Sequence, residues 1–390
     1  MSPLYRDLLS LGLFLTFICG LRPSVHAQDP QFSQFFNTPL HINPAYVGAN
    51  GGITATATYR HQWNQIPGGF NTTYLSVDSF EPCLPGAFGL SVWQDAEGEG
   101  ILTTTAAQMY FGFVARADTR KTVNNFRFAL SPYWMQKEID WDRLVFSDQL
   151  DPRFGNINAT AFQPNANLPV RFAGLNFGFV HRLDIRRKGG EDIQLDYGLG
   201  LHNLLNVSLD AGPIESLQGL DTGIPLRWSA HASVYLPFLS VGNGQINRFR
   251  VVPQVRAEGQ GGITSVSFGA YGLYQGGAIG LFYHNQHPLA GFTHTDALIA
   301  YVGLGFDVNK NQAVELGLSY NLNMGGLRTQ AGGVFELNLR YYLQGNSMLC
   351  GIFAKGNLKR GGRGRKGPIQ CPPVGRSHHR RWNNIWYRNG

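Results

Sequence analysis

The chain has few charged residues and few cysteines. Only 15% of its 390 residues are Asp, Glu, Lys or Arg, and four are Cys. Apolar residues with helical spacing are almost absent, and the mean hydropathy is −0.16. These absences argue against a helical enzyme and against a bundle of membrane helices. Glycine is abundant instead, with 49 residues, and aromatic residues make up 13% of the chain, which is typical of an all-β protein with many turns.

The first 27 residues have the features of an export signal. Arg6 precedes an apolar stretch over residues 8–18 that is too short to span a bilayer. Val25 and Ala27 then occupy the −3 and −1 positions of a cleavage site. We therefore predict residues 1–27 to be a signal peptide cleaved between Ala27 and Gln28, with a retained signal anchor as the alternative.

Three cysteines remain after this cleavage, in a chain that would meet an oxidising compartment. We predict a disulfide between Cys350 and Cys371, because both lie beyond the last predicted strand, and a free Cys83. None has the spacing of a metal site, and no nucleophile, paired-carboxylate or phosphate-loop motif is evident. We expect no metal site, no cofactor and no enzymatic activity.

Strict alternation of polar and apolar residues predicts about fourteen antiparallel strands between residues 52 and 343. In the first strand, Thr54, Thr56 and Thr58 share one face, and apolar residues share the other. The predicted strands are roughly ten to sixteen residues long, whereas a strand of a globular protein has about five or six. Since a tilted membrane strand needs about 9–11 residues, the lengths favour a transmembrane outer-membrane β-barrel.

The connections between these strands differ in length at the two ends of the predicted barrel. Short connections fall at one end, and the two longest, residues 138–169 and 203–224, fall at the other. Barrels of the outer membrane have short periplasmic turns and long external loops. The lengths therefore predict an orientation in which both long loops face the outside.

The predicted inner face carries charges of both signs, and this favours a lumen crossed by ion pairs or closed by a plug. The segment before the first strand, residues 28–51, is too irregular for a strand and rich in Asn, Gln, Pro and Phe. We predict that it is a plug or a periplasmic lid. The charged residues of the inner face are Arg60, Asp78, Arg127, Asp196, Arg227, Glu315, Glu336 and Arg340.

Three motifs near the start of the mature chain resemble the PorP/SprF family, outer-membrane proteins of the type IX secretion system of Bacteroidetes. They are Gln-Asp-Pro-Gln-Phe-Ser-Gln-Phe-Phe-Asn at 28–37, Asn-Pro-Ala-Tyr-Val-Gly at 43–48 and Tyr-Arg-His-Gln-Trp at 59–63. Looser matches extend to about Pro372.

This resemblance implies a fourteen-stranded barrel akin to long-chain fatty-acid transporters and a non-enzymatic role. Members of the family help to export, or to hold at the cell surface, large proteins with a C-terminal secretion domain. Some act in gliding motility, and others attach to a periplasmic ring or to peptidoglycan-binding components. The resemblance thus predicts secreted proteins, secretion components and outer-membrane lipid as partners, and no nucleic acid.

Within these motifs, Asn43 and Pro44 suit a turn, because proline fixes φ and asparagine caps a turn; a partner contact is the alternative. Tyr59 lies in the first strand, and we expect Arg60 and Trp63 to anchor the outer end of that strand.

The basic character of the chain is concentrated in its C-terminal tail, residues 344–390. Ten of the 32 basic residues lie between Lys355 and Arg388, beyond the last acidic residue, Glu336. We predict a periplasmic tail that docks on an acidic partner or on peptidoglycan, with a disordered tail as the alternative. The candidate docking residues are Arg363, Arg365, Lys366, Arg380, Arg381, Trp382 and Trp386.

The sequence leaves two other functions open. A small hydrophobic-molecule transporter of the fatty-acid-channel type would need a continuous apolar path and a displaceable N-terminal plug. A porin would conduct ions freely. The mixed charges of the predicted lumen argue against the transporter.

Overall fold

The computed structural model describes residues 29–81, 86–98, 102–161, 169–186, 192–209, 224–242, 245–274, 276–286, 288, 296–309, 312–324 and 332–343. These residues form one large sheet of long strands. The strands, β1 to β14 in chain order, are Ile53–Gln62, Phe70–Glu81, Gly86–Glu97, Leu102–Asp118, Thr122–Ile139, Val170–Ile185, Ile193–Ser208, Arg227–Gly242, Gln245–Gln260, Ile263–Tyr274, Gly277–Asn285, Ala297–Asn309, Gln312–Asn323 and Val334–Leu343.

The sheet closes on itself as an antiparallel barrel. Each strand pairs with its neighbours in the chain, and β1 pairs with both β2 and β14. Closure leaves no strand with an unpaired edge, which suits a barrel that spans lipid. The prediction of a fourteen-stranded antiparallel barrel is therefore confirmed.

Alternation along each strand separates an outer apolar surface from an inner polar one. In β14, Phe335, Leu337 and Leu339 are exposed on the outside. Glu336, Asn338 and Arg340 alternate with them and are buried inside. Because successive side chains of a strand point to opposite faces, the period of two in the sequence produces both surfaces.

The longest strand connections lie at one end of the barrel, which we call the loop end; the opposite end is the turn end. The connection over residues 140–169 includes two short 3-10 turns, Trp141–Arg143 and Ser147–Gln149, and a hairpin of two-residue strands. The second predicted long loop was placed too early. β7 continues to Ser208, which pairs with Phe172, so residues 203–208 belong to the barrel wall.

This difference has a local cause. The pairing of β6 with β7 shifts register between Leu175 and Phe177, and Asn203 adopts a φ of 58°. The extra residues of a bulge interrupt alternation, so the continuation of the strand was hidden in the sequence.

Helix is confined to a short stretch before β1. A four-residue helix, Pro39–Ile42, is followed by a 3-10 turn, Pro44–Tyr46. Across the part of the chain that the structure describes, no helix is long and apolar enough to cross a membrane.

We expect Val302→Arg to destabilise the barrel in lipid by about 2–4 kcal/mol, because this places a charge at the centre of the lipid-facing surface. Val302 lies near the middle of β12, pairs with Ile279 and Leu318, and is 50% exposed. Urea unfolding in lipid vesicles measures the change. The matched control, Ile66→Arg in the loop after β1, should alter stability by no more than about 0.5 kcal/mol. Equal losses in the two variants would contradict the assignment of this surface to lipid.

Candidate functional site

Residues 29–52, which we call the inner segment, lie inside the barrel. Their hydrogen bonds reach β2, β5 to β10, β13 and β14 of the wall. Phe32, Leu40, Asn43 and Val47 are almost fully buried. The inner segment is therefore the part of the chain that decides what the lumen can do.

Local sequence shapes the turn at the centre of this segment. The helix Pro39–Ile42 ends at Asn43, whose Oδ1 accepts a hydrogen bond of 3.0 Å from the backbone N–H of Ala45. Pro44 opens the next turn, where its missing N–H costs nothing. Gly48 then has a φ of 64°, in the left-handed region that favours glycine. The Asn-Pro-Ala-Tyr-Val-Gly motif thus encodes a compact reversal of the chain.

The same Asn43 side chain also holds the segment to the wall. Its Nδ2 donates to the carbonyl of Phe179 at 2.9 Å and lies 3.1 Å from Nε2 of His231. Close approach is possible because residue 178 is glycine: a Cβ there would lie 2.3 Å from Oδ1 of Asn43. Asn43 has 0% exposure, so it can touch another protein only if the inner segment moves.

Two wall carboxylates bind backbone amides of the inner segment. Glu336 accepts hydrogen bonds from the N–H groups of Ser33 at 2.7 Å and Gln34 at 2.9 Å. Asp78 accepts one from the N–H of Gly48 at 2.8 Å. Hydrogen bonds to ionised acceptors are about twice as strong as neutral ones. The two carboxylates therefore hold the segment at two separate points.

These contacts define how the segment runs. Glu336 pairs with Arg60 near the loop end of β1, whereas Asp78 pairs with Thr54 near its turn end. Asp29 donates its N–H to Gln260, the last residue of β9, at 2.8 Å. The segment consequently starts near the loop end and crosses the lumen to the turn end, where β1 begins.

The wall satisfies the carbonyl groups at the end of the short helix. Arg227 donates to the carbonyl of His41 at 2.9 Å. Ser229 and His202 donate to the carbonyl of Ile42 at 2.6 and 2.8 Å. The last carbonyl groups of a helix have no hydrogen-bond donor within the helix, and here the barrel wall supplies the donors.

Aromatic packing fills the space beside these hydrogen bonds. The Phe36 ring lies 5.2 Å from that of Phe282, 5.1 Å from Tyr271 and 4.8 Å from Tyr301. Phe35 packs on Phe282 at 5.7 Å. Ring pairs at such distances add to the stability that burial provides.

Ion pairs lie along the rest of the inner wall, where the sequence places charges of both signs. Arg182 and Asp196 form a two-point contact at 2.8 and 2.6 Å. Arg256 lies 3.5 Å from Glu258, and Arg340 lies 3.9 Å from Glu315. The described lumen is therefore polar and charge-paired away from the aromatic cluster.

The structure separates the residues of the third motif. Tyr59 is 43% exposed on the outer surface, whereas Arg60 points into the lumen and donates to Gln62. Trp63 follows β1 with a φ of 61°; its N–H donates to the carbonyl of Gly333 at 3.0 Å, and its ring packs on Phe70. Arg60 thus lies on the inner face that alternation predicts, near the loop end of β1, and Trp63 fixes the strand end.

The remaining predicted positions lie outside the described residues. These are the cleavage site at Ala27 and Gln28, the cysteines Cys350 and Cys371, and the tail residues Arg363, Arg365, Lys366, Arg380, Arg381, Trp382 and Trp386. Among the residues that the structure does describe, no group of three or more His, Cys, Asp or Glu side chains could hold a metal ion.

We expect Glu336→Gln to destabilise the protein by about 1.5–3 kcal/mol, because an amide cannot accept from both Ser33 and Gln34 without turning its NH2 group toward an N–H donor. Hydrogen exchange followed by mass spectrometry should show faster exchange in residues 29–40 than in the wall. Glu138→Gln, an exposed site at the end of β5, is the control. Unchanged exchange in the Glu336 variant would show that the carboxylate does not hold the segment.

Comparison with solved structures finds proteins of low similarity to this chain. Among solved structures, a FadL homologue from Pseudomonas aeruginosa has a TM-score of 0.35 and 12% identity, over 77% of this chain and 92% of that one. A deletion mutant of the monoaromatic hydrocarbon channel TodX has a TM-score of 0.37 and 12% identity, over 79% of this chain and 94% of that one. CdiB from Acinetobacter baumannii has a TM-score of 0.38 and 10% identity, over 74% of this chain and 60% of that protein. What these barrels carry does not transfer to this chain at such similarity.

No curated protein matches the sequence. The family described as type IX secretion system membrane protein PorP/SprF matches residues 24–341, which cover the inner segment and nearly the whole barrel. A membrane β-barrel in a secretion family fits the outer membrane. The chain belongs to the PorP/SprF family of type IX secretion system membrane proteins.

Proposed function

We propose that this barrel is a docking component of the type IX secretion system. It binds a large secreted protein that carries a C-terminal secretion domain and helps to export it or to anchor it at the surface, without a catalytic step of its own. The observation that carries this proposal is the inner segment, which crosses the lumen and forms hydrogen bonds with most strands of the wall. A barrel whose lumen is crossed by such a segment is suited to binding a partner protein at the ends of the barrel.

The contacts of the inner segment argue against a polypeptide passing through the barrel. Passage would break the hydrogen bonds of Glu336 and Asp78 to backbone amides and the packing of Phe36. Each broken bond would leave a buried polar group without a partner. Partner binding at the loop end requires none of these losses.

The long connection between β5 and β6 offers a surface for such a partner. Val145, Leu150, Phe154 and Ile157 are apolar and more than half exposed there. Exposed apolar side chains gathered in one loop are typical of protein interaction sites. We therefore assign contact with the exported protein to residues 138–169, together with the second loop, now bounded by 209 and 226.

Hydrogen bonds give this loop a defined shape. Asp148 accepts from the N–H of Ala161 at 2.7 Å and from the hydroxyl of Thr160 at 2.9 Å. These bonds hold the pKa of Asp148 below its usual range, so the carboxylate is ionised at neutral pH. A loop that is already ordered loses less conformational entropy on binding.

The turn end faces the periplasm in this proposal. β14 ends there at Leu343, so the basic tail 344–390 starts on the periplasmic side. We propose that Arg363, Arg380 and the other basic and tryptophan residues of the tail bind a periplasmic ring or peptidoglycan-binding component. Delivery to the outer membrane would follow cleavage after Ala27, which N-terminal sequencing of the mature protein tests directly.

Affinity purification from native outer membranes tests the docking role. The tagged wild type should bring down a large surface protein with a C-terminal secretion domain, or a secretion component. Phe154→Ser combined with Ile157→Ser should lower recovery of the secreted protein at least about fivefold, because it removes two apolar anchors of the loop surface. Ile66→Ser, at an exposed apolar residue in another loop, is the control.

Two outcomes would contradict the proposal. An equal loss of the secreted protein with the Ile66 control and with the Phe154 and Ile157 variant would show that the β5–β6 loop is not the contact surface. Recovery of the barrel alone, with fatty acid or another lipid bound, would instead favour a small hydrophobic-molecule transporter.

A further inference from the structure

A cavity of about 140 Å³ lies at the loop end of the lumen, between the inner segment and the wall. An engineered cavity of about 150 Å³ in another protein admits benzene, so this one has room for a ring of similar size. Its lining includes Gln31, Arg60, Trp63, Arg256, Asp296 and Asn321. The wall residues of this set all lie within a few residues of the loop ends of their strands.

The cavity brings together residues of the first and third N-terminal motifs, 28–37 and 59–63. Gln31, Phe32 and Ser33 come from the inner segment, whereas Arg60, Gln62 and Trp63 come from the end of β1. The docking role uses none of the second group. Trp63 also holds a positive φ, a conformation that is costly for a residue with a large side chain and is found most often at functional sites.

Four side chains in this lining have one buried polar atom without a hydrogen bond to any described residue. Two of these atoms are donors, Nε of Arg60 and Nε of Arg256; two are acceptors, Oδ1 of Asp296 and Oδ1 of Asn321. Unpaired buried polar groups are rare in folded proteins and call for an explanation. Such atoms also occur elsewhere in the described lumen, as at Arg127, Arg182 and Arg340, but here two donors and two acceptors surround one cavity.

Other bonds hold these side chains in place. Asn321 donates through Nδ2 to the hydroxyl of Ser33 at 2.8 Å, and Arg256 donates to the carbonyl of Phe32 at 3.2 Å. Asp296 accepts through Oδ2 from the hydroxyl of Tyr283. The lining is therefore anchored before any ligand arrives, which limits the entropy that binding costs.

Charges of both signs surround the cavity. The guanidinium groups of Arg60 and Arg256 and the carboxylate of Asp296 line it, and Glu258 lies 3.5 Å from Arg256. Glu336 is the partner of Arg60 in the pairing of β1 with β14. A charged ligand of either sign would therefore lie close to a group of like charge. The lining suits a neutral ligand that both donates and accepts hydrogen bonds.

Hydroxyl groups have that property, since each donates one hydrogen bond and accepts two. The amide side chains of Gln31, Gln62 and Gln286 add further paired donors and acceptors, and Trp63 and Phe32 are the aromatic residues of the lining. We propose that this cavity binds a neutral cyclic polyol of the hexose class at the loop end of the barrel. The proposal does not depend on the docking role.

Saturation-transfer NMR on the full-length barrel tests this inference. The protein is purified in a zwitterionic detergent, because a glycoside detergent would compete for the site. The probes are D-glucose, D-galactose, D-mannose and N-acetyl-D-glucosamine, with benzoate as an anionic ring of similar size and cyclohexanol as a ring with one hydroxyl. We expect transfer to at least one hexose and none to benzoate or cyclohexanol at equal concentration.

Variants locate the binding. Arg60→Met should weaken hexose binding at least about tenfold, and Gln286→Leu, at an exposed position of the lining, should weaken it about threefold. Arg186→Met, which removes the same charge at an exposed site at the turn end, should leave binding unchanged. If Arg60→Met does not fold, as judged by heat-dependent migration on gels, Gln286→Leu decides the question. Absence of binding by all four sugars, preference for benzoate, or equal loss in the Arg186 variant would overturn the proposal.

Discussion

The structure depends on how the backbone of the inner segment finds hydrogen-bond partners inside the barrel. An irregular chain buried in a lumen has N–H and C=O groups that neither helix nor sheet can satisfy. Here the wall supplies them: Glu336 and Asp78 accept from N–H groups, and Arg227, Ser229 and His202 donate to carbonyls. A charged and polar lumen is therefore a requirement of the buried segment.

This constraint also explains the composition of the wall. Glycine at position 178 gives the Asn43 turn room to approach, and aromatic residues fill the side of the lumen where few polar partners are needed. Near the loop end, four of the buried polar atoms that have no hydrogen-bond partner among the described residues surround one cavity. The two proposed activities thus lie in different parts of the molecule. Partner contact is on the loops outside the lumen, and small-ligand binding is just inside the lumen.

Much of the fold followed from periodicity, because a barrel wall is built from residue-by-residue alternation. The strand β14 could be predicted from Phe335 to Tyr342 alone, but the end of β7 could not, since the bulge at Asn203 breaks the alternation that marks a strand. The turn at Asn43 and Pro44 was readable because its signals are local. The attachment of the inner segment to the wall could not be predicted from the sequence. Ser33 and Glu336 are 303 residues apart in the chain, and only the closed barrel brings them together. Alternation placed Arg60 on the inner face, where the structure has it, but nothing local showed which residues it contacts there.

The central claim is that the inner segment closes the lumen, and ion conductance in planar bilayers tests it most directly. The full chain should show no sustained openings, whereas a chain lacking residues 29–49 that still migrates as a folded barrel should show a stable open channel. Equal, steady conductance of the two proteins would contradict the account, because it would mean that ions pass the inner segment freely.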